Sequence, residues 1–155
     1  MTTLILASAI SSALVAGVFY AFSSFVMGAL ARLDSREGIA AMQSINVVVI
    51  NPWFFAAFFG AGALAAVTSV LAVTSGHPSA ALLHGAAALY LLGCLGVTIG
   101  GNVPLNDRLA AVDRDDPAAA DVWRHYVRVW TRWNHVRTAA SLAAGVLYAL
   151  VLTGV

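Results

Sequence analysis

Long apolar stretches alternate with short polar connections along the whole chain. Each apolar stretch is close to the ~20 residues that an α-helix needs to cross about 30 Å of hydrocarbon. The pattern predicts four transmembrane helices, over about residues 4–30, 53–74, 80–103 and 134–155. The last apolar stretch begins only at Thr138, but helical spacing continues back through Arg137 and Trp133. We therefore expect a long, extended fourth helix with a polar first half.

The polar segments carry signals for helix ends. Ser35 can cap a helix over about residues 36–50, and Asn51-Pro52 can end that helix and start the next. We expect this short helix to lie at the membrane interface. A connection over about residues 104–133 leads into the fourth helix. The predicted fold is all-α: one membrane domain over residues 1–155, a four-helix bundle with an interfacial helix.

Composition supports lipid as the main solvent. Hydrophobic residues make up 61% of the 155 residues, charged residues make up 10%, and the mean hydropathy is +0.86. Soluble domains carry about 25% charged residues. So few charges cannot cover a water-facing globule of this size, whereas lipid requires no polar cover. The first stretch is expected to be a retained helix, because no basic residue precedes it and it is longer than the core of a secretory signal.

Charge placement predicts the orientation. The chain has no lysine, and its eight cationic residues are arginines confined to the two connections on one side of the bundle. By the positive-inside rule these connections are cytoplasmic, which puts both termini and the loop at residues 75–79 outside a multi-pass cell-membrane protein. The net charge of +1 argues against a nucleic-acid partner, because aspartates offset the arginines.

Small residues spaced four apart predict close helix contacts in lipid. The pairs are Gly17 and Ala21, Gly96 and Gly100, and Ala140 and Ala144. Most are expected to pack inside the bundle, while the Gly96 pair also fits a helix face that joins two copies of the chain.

The segment from Trp123 to Ser141 separates into two unlike helical faces. One face is predicted to carry Trp123, Tyr126, Trp130, Trp133, Asn134, Arg137 and Ser141. The opposite face carries Arg124, Arg128, Arg132 and His135. The first face fits a pocket for a planar aromatic molecule, with rings that stack on it and Asn or Arg that hold its oxygens. It equally fits an interfacial aromatic belt with a snorkelling arginine.

Asparagines gather at the same predicted membrane border as Asn134. They are Asn46, Asn51, Asn102 and Asn106. An unpaired amide in lipid costs several kcal/mol, so these groups should meet each other, Arg137 or something bound. Two interpretations stay open: helix caps and interhelical bridges, or the lining of a polar site.

Metal chemistry has little support in the sequence. His77 and His84 lie near one membrane border and His125 and His135 near the other, so no pair from opposite borders is expected to hold one metal or haem. A pair of His125 and His135 stays open, although no carboxylate or thiolate pattern accompanies it. The single cysteine, Cys94, lies mid-membrane without a Cys/His spacing around it. No catalytic triad pattern and no charged residue at the membrane centre is found, which makes an ion-coupled transporter a minor hypothesis.

Several segments are similar to those of the anthrone-oxygenase-like family of small membrane proteins. They are Gly17 to Met27, Gly38 to Asn46, Asn51-Pro52-Trp53, Asn102 to Asn106, and Trp130 to Arg137. The resemblance implies a four-helix membrane fold. It also implies oxidation of an anthrone to an anthraquinone with dioxygen and without a recognised cofactor. Gly28 departs from the pattern, since a proline is expected there.

The resemblance suggests roles for the matching residues. Arg137, Asn102 and Asn134 are candidate donors to an enolate oxygen, and His135 is a candidate base. The candidate substrate-binding residues are Trp130, Trp133, Tyr126, Asn106, Asn51 and Asn46. No metal or other cofactor is expected. The competing hypothesis is a non-catalytic membrane protein, either a partner subunit or a lipid- or small-molecule-binding module, whose polar residues serve helix packing.

Overall fold

The computed structural model describes residues 1–154, and over these residues the chain is helical without a strand. Its five helices are α1 (Thr2–Leu30), α2 (Ser35–Val48), α3 (Pro52–Thr74), α4 (Ala80–Ala110) and α5 (Ala119–Leu152). Four of them, α1, α3, α4 and α5, are long and apolar enough to cross a membrane. The predicted all-α bundle with four membrane helices is confirmed.

The four long helices form a ring in which α1 packs on α3, α3 on α4, α4 on α5 and α5 on α1. The short helix α2 packs across α4 and α5 at one end of the ring. We call this end the α2 end. The opposite end holds the start of α1, the α3–α4 turn and the end of α5, and we call it the terminal end.

Local signals set the ends of α2 and α3. The Asp34 carboxylate accepts a hydrogen bond from the Arg36 backbone N–H at 3.0 Å, so Asp34 and not Ser35 caps α2. Asn51 caps α3 by accepting from the Phe54 N–H at 3.0 Å, with Pro52 at the first helical position. α3 ends at a turn in which Gly76 takes a φ of 63°.

α4 and α5 both extend into the segment expected to connect them. α4 continues to Ala110, and α5 begins at Ala119 and runs for 34 residues, about 50 Å along its axis. Since hydrocarbon is only about 30 Å thick, part of α5 must lie outside it or the helix must tilt. The connection is therefore largely helical.

Small residues bring α5 close to its two neighbours. A Cβ atom added at Gly145 would lie 3.4 Å from the Ala9 carbonyl oxygen of α1. One added at Gly93 of α4 would lie 2.6 Å from the Ala140 Cβ. The predicted packing role holds for Ala140 and Ala144, which are buried. Gly17 and Gly100, in contrast, face open space.

Three π-helical segments interrupt the long helices. One lies in α1 (Phe22–Val26) and two lie in α4 (Leu89–Gly96 and Thr98–Asn102). A π-turn holds more residues than an α-turn, so it changes which side chains face the bundle interior. The segments at Phe22–Val26 and Thr98–Asn102 flank the same region of α5, around Asn134 and Arg137.

Candidate functional site

A cavity of about 440 Å³ lies inside the bundle at the α2 end, and all five helices contribute to its wall. It is more enclosed than three grooves on the surface of the described chain. Most of the wall is apolar and aromatic. The aromatic residues are Phe19, Phe22, Phe54, Phe55, Phe58, Phe59 and Trp130. The polar ones are Gln43, Asn46, Thr98, Asn106, Asp107 and Arg137.

Arg137 of α5 brings a positive charge to this wall with only 6% of its surface exposed. Its Nε donates to Asn134 Oδ1 at 2.9 Å and its Nη1 donates to Thr98 Oγ1 at 3.4 Å. The guanidinium carbon also lies 3.9 Å from the ring centre of Phe19 and 4.9 Å from that of Trp130. Amide, hydroxyl and aromatic faces thus compensate for part of the lost hydration.

No carboxylate pairs with Arg137. Within residues 1–154 the ion pairs are Arg36–Asp115 at 3.0 Å and Arg124–Asp121, and all four side chains are exposed. A buried cation without a counter-ion is costly, and an anion beside it recovers part of that cost. The cavity is therefore electrostatically suited to a ligand that carries, or develops, a negative oxygen.

Asn134 holds Arg137 in place. The Asn134 Nδ2 donates to the Phe19 carbonyl oxygen at 2.8 Å and to Ser23 Oγ at 2.7 Å, both on α1. This orientation directs Oδ1 to the arginine. Because both ends of the amide are occupied within the fold, Asn134 positions the charge and is not itself directed at the cavity.

A stacked series of rings supports Trp130. Trp123 and Tyr126 stack at 5.7 Å and 12°, and Tyr126 and Trp130 at 6.1 Å and 25°. Asn106 Oδ1 accepts from both Tyr126 Oη and Trp130 Nε1 at 2.8 Å. One amide oxygen of α4 therefore fixes two rings of α5, which sets the ring plane of Trp130 on the cavity wall.

Two asparagines of the predicted site keep an unpaired buried atom. Asn46 lines the cavity, and its Nδ2 has no hydrogen-bond partner. Asn102 donates from Nδ2 to the Trp130 carbonyl oxygen at 3.1 Å and leaves Oδ1 unpaired, but it does not line the cavity. Of these two asparagines, Asn46 is the one whose unpaired amide group belongs to the cavity wall.

The structure brings together on the cavity wall four of the predicted site residues: Asn46, Asn106, Trp130 and Arg137. Asn102, Asn134 and Tyr126 lie behind them as supports. Asn51 is separate, because its side chain caps α3 and donates to the Val48 carbonyl oxygen at 2.9 Å. It has a structural role in the described chain.

His135 does not meet Arg137. It is exposed in a groove between α1 and α5, where its Nδ1 lies 2.9 Å from Ser23 Oγ. It lies two positions before Arg137, which turns it roughly 200° away on an α-helix. The geometry gives it no route to the cavity, so the role of base predicted for it is not supported.

Trp133 is the one residue of the predicted aromatic face that lies outside the interior. It is 43% exposed and packs over Gly101, where an added Cβ would lie 2.9 Å from Trp133 Cγ. The other six residues of that face are buried. The four residues predicted on the opposite face are all exposed.

Several wall residues were not anticipated from the sequence. They are Phe19, Phe22, Gln43, Phe54, Phe58, Thr98 and Asp107. The doubled phenylalanines Phe54-Phe55 and Phe58-Phe59, one helical turn apart, were a usable signal for an aromatic wall. Asp107 is the carboxylate of the wall, and it directly follows the predicted site residue Asn106.

Metal binding has no support from side-chain clusters in the described chain, where no three His, Cys, Asp or Glu residues come together in a way that could hold an ion. His84 instead bonds through Nδ1 to Ser69 Oγ at 2.6 Å and joins α3 to α4.

A sequence model of the family described as Anthrone oxygenase matches residues 52–147, more than half of the 155-residue chain. The match covers α3, α4 and most of α5, and so includes Asn106, Trp130, Asn134 and Arg137. No curated protein and no solved structure matches the chain.

Proposed function

The chain belongs to the anthrone oxygenase family, and from this premise we propose that it is an oxygenase that converts the methylene group of a planar, phenolic, anthrone-like molecule to a carbonyl. One atom of dioxygen becomes the new carbonyl oxygen, and the other leaves as water with the two methylene hydrogens. The methylene carbon loses four electrons, and dioxygen accepts all four. The reaction is therefore balanced without another co-substrate.

The observation that carries the proposal is the buried Arg137 without a carboxylate partner on an aromatic wall. When an anthrone loses a methylene proton, the negative charge moves to its carbonyl oxygen. Arginine has five N–H donors, and the fold uses two of them on Asn134 and Thr98. Donors that are fixed before the charge develops stabilise an enolate more than its neutral precursor, which lowers the barrier to deprotonation.

The aromatic walls would orient the substrate. Phe54 and Phe58 lie nearly parallel at 5.5 Å and 11°, and Trp130 is fixed by Asn106. Flat walls of this kind favour a flat polycyclic ligand over a flexible chain. The free Nδ2 of Asn46 adds a donor for a phenolic oxygen at the α2 side.

We assign the proton-accepting role to Asp107, because it is the carboxylate on the wall and His135 is turned away. The enolate would then pass one electron to dioxygen, and the resulting carbon radical and superoxide would combine to a peroxide anion on the same carbon. Loss of the second methylene proton with cleavage of the O–O bond gives the ketone, and the proton held by Asp107 completes the leaving water.

The first test is dioxygen uptake and anthraquinone absorbance when detergent-purified protein meets a simple anthrone. We expect acceleration over the spontaneous rate, and a loss of roughly 10²–10³-fold in Arg137→Ala, the usual cost of removing a fixed donor to a developing oxyanion. Arg132→Ala is the matched control, because Arg132 is an exposed arginine of the same helix. Equal rates in the two variants, both folded by size-exclusion chromatography, would rule out this role of Arg137.

A second function, binding of a phenolate-like molecule without turnover, is favoured by the way the asparagines are used. Asn51, Asn102 and Asn134 all donate to backbone carbonyl oxygens, as packing residues do. Such a protein would bind a hydroxyanthraquinone with an affinity that depends on Arg137, yet would not accelerate oxidation of an anthrone. The same preparation distinguishes the two functions when binding and dioxygen uptake are measured together.

For the orientation, we propose that the α2 end faces the cytoplasm. Every arginine of the chain lies in one of two segments at this end, Arg32 to Arg36 and Arg108 to Arg137, while the turn at residues 75–79 carries none. Labelling of Ser75→Cys in a Cys94→Ser background by a membrane-impermeant maleimide tests the proposal. Reaction from the cytoplasmic side alone would reverse it.

A further inference from the structure

We infer that the cavity opens sideways into the bilayer between α3 and α4, and that its ligands are apolar planar molecules that enter from the membrane in their neutral form. The identity of the ligand rests on the proposed function, whereas the lateral path rests on the wall itself. Four residues define what we call the lateral rim: Phe55 and Phe59 on α3, and Ile99 and Val103 on α4. They line the cavity and are also 40%, 49%, 59% and 40% exposed.

α3 and α4 are in contact between the lateral rim and the terminal end. Tyr90 Oη donates to the Phe58 carbonyl oxygen at 2.9 Å, and Ser69 bonds to His84 nearer the terminal end. Leu95 Cδ1 lies 3.1 Å from the position of a Cβ at Gly62. Ile99 and Val103 follow Leu95 at four-residue intervals, but they remain exposed because α3 no longer covers them.

Contacts with α5 explain why α4 separates from α3 at the lateral rim. The segment Thr98–Asn102 packs on α5, where Gly101 lies under Trp133 and Asn102 donates to the Trp130 carbonyl oxygen at 3.1 Å. The π-turn in this segment brings both residues to α5. α4 is thus held against α5 at the α2 end, and a gap remains between α4 and α3.

α2 is tethered across the cavity at the α2 end, where the exposed Asp107 also lies on the wall. Gln43 of α2 donates from Nε2 to the Leu109 and Val112 carbonyl oxygens at 2.9 and 3.2 Å. Gly38 sits so close to Trp123 that an added Cβ would lie 2.7 Å from its ring. α2 therefore covers part of this side of the cavity, while the exposed residues Val47 of α2 and Ile50 of the α2–α3 connection add apolar side chains to the wall.

The chemistry of the rim determines which molecules can pass. An apolar rim is compatible with surrounding lipid, and a charged molecule that crossed it would lose its hydration before it reached Arg137. A neutral phenol or anthrone loses little hydration free energy when it crosses the lateral rim, and it becomes an anion only beside the guanidinium. Separation of an apolar entrance from a cationic interior thus selects molecules that are weak acids and dissolve in membranes.

The path is tested with a small aryl diazirine dissolved in phosphatidylcholine vesicles that contain the protein. After photolysis, peptide mass spectrometry reports carbene insertion at Phe58 and Trp130, both only 3% exposed and both on the cavity wall. We expect labelling of both residues in the unmodified protein. Val103→Trp, which places a large ring on the lateral rim, is expected to reduce it about tenfold, because access must pass the added ring.

Val67→Trp is the matched control: Val67 is a similarly exposed valine, at 48%, on α3 but outside the cavity. It is expected to leave the labelling of Phe58 and Trp130 unchanged. Absence of labelling in the unmodified protein, or equal labelling in the two variants, would overturn the lateral path. Because the readout requires no turnover, a protein that passes this test and fails with anthrone would refute the proposed function alone.

Discussion

The two ends of the bundle are held together in different ways. From the terminal end to the middle of the bundle, small residues let helices touch: Gly145 lies against the α1 backbone and Gly93 against Ala140, and short polar bridges such as Ser8 to Thr68 at 3.0 Å join the helices. At the α2 end, large rings and amides surround a space that the fold leaves open. In the first region the helix contacts leave little space between the helices. In the second region the contacts among the wall residues keep the cavity open. The proposed ligand site thus lies in the region that close helix contacts do not fill.

The largest effect is expected where the cavity alone is changed. Asp107→Asn should lower anthrone turnover by about 10²-fold or more, the usual contribution of a general base, without changing the melting temperature. His135→Ala should leave turnover unchanged, because His135 lies in the outer groove. Dioxygen uptake, followed by stopped flow with folded protein, measures the turnover rates of both variants. The reverse result, loss in His135→Ala and activity in Asp107→Asn, would move the base out of the cavity.

A smaller effect is expected when the support of the cavity is removed. Asn106→Leu leaves Tyr126 Oη and Trp130 Nε1 without their shared acceptor, and two buried unpaired donors should cost roughly 3 kcal/mol of unfolding free energy. Tyr126→Phe removes one of these donors together with its bond and should cost about 1 kcal/mol. Denaturation in detergent measures both. Equal losses would show that Asn106 is not the common acceptor.

The close contact between α4 and α5 should instead be sensitive to added side-chain volume. Gly93→Ala places a methyl group 2.6 Å from the Ala140 Cβ, so α4 and α5 must shift, at a cost of about 1–3 kcal/mol. Gly100→Ala is the control, because Gly100 faces open space, and it should be neutral or slightly stabilising. Thermal melting compares them, and turnover per folded molecule should be equal. A stable Gly93→Ala variant would mean that this contact tolerates more volume than its geometry shows.

Much of the fold followed from the sequence, for reasons that particular residues make clear. Uninterrupted apolar stretches determine which segments can cross lipid, and Asn51-Pro52 fixes the start of α3. The buried face of α5 was predictable because its polar and aromatic residues alternate with arginines at helical spacing. Ser35 was wrong as the cap of α2 because Asp34, one residue earlier, has the stronger acceptor in reach of Arg36 N–H.

The cavity itself could not be predicted in the same way. α1 and α3 are apolar on every side, so their sequences do not indicate that Phe19, Phe54 and Phe58 face inward. The π-turn at Thr98–Asn102 further changes the faces that α-helical spacing predicts for α4. Trp133 belonged to the right face by spacing, yet it packs outward over Gly101 and is 43% exposed.

The hydrogen bonds of Asn134 have a consequence for how such a protein can diversify. This amide connects Arg137 to the α1 backbone, and its hydrogen bonds involve none of the four residues of the lateral rim. Substitutions at Phe55, Phe59, Ile99 or Val103 therefore alter the size and shape of the entrance while the arginine keeps its position. Descendants of one ancestor could thus come to accept different ring systems through changes on their lipid-facing surface, and each step would preserve the inherited reactive centre.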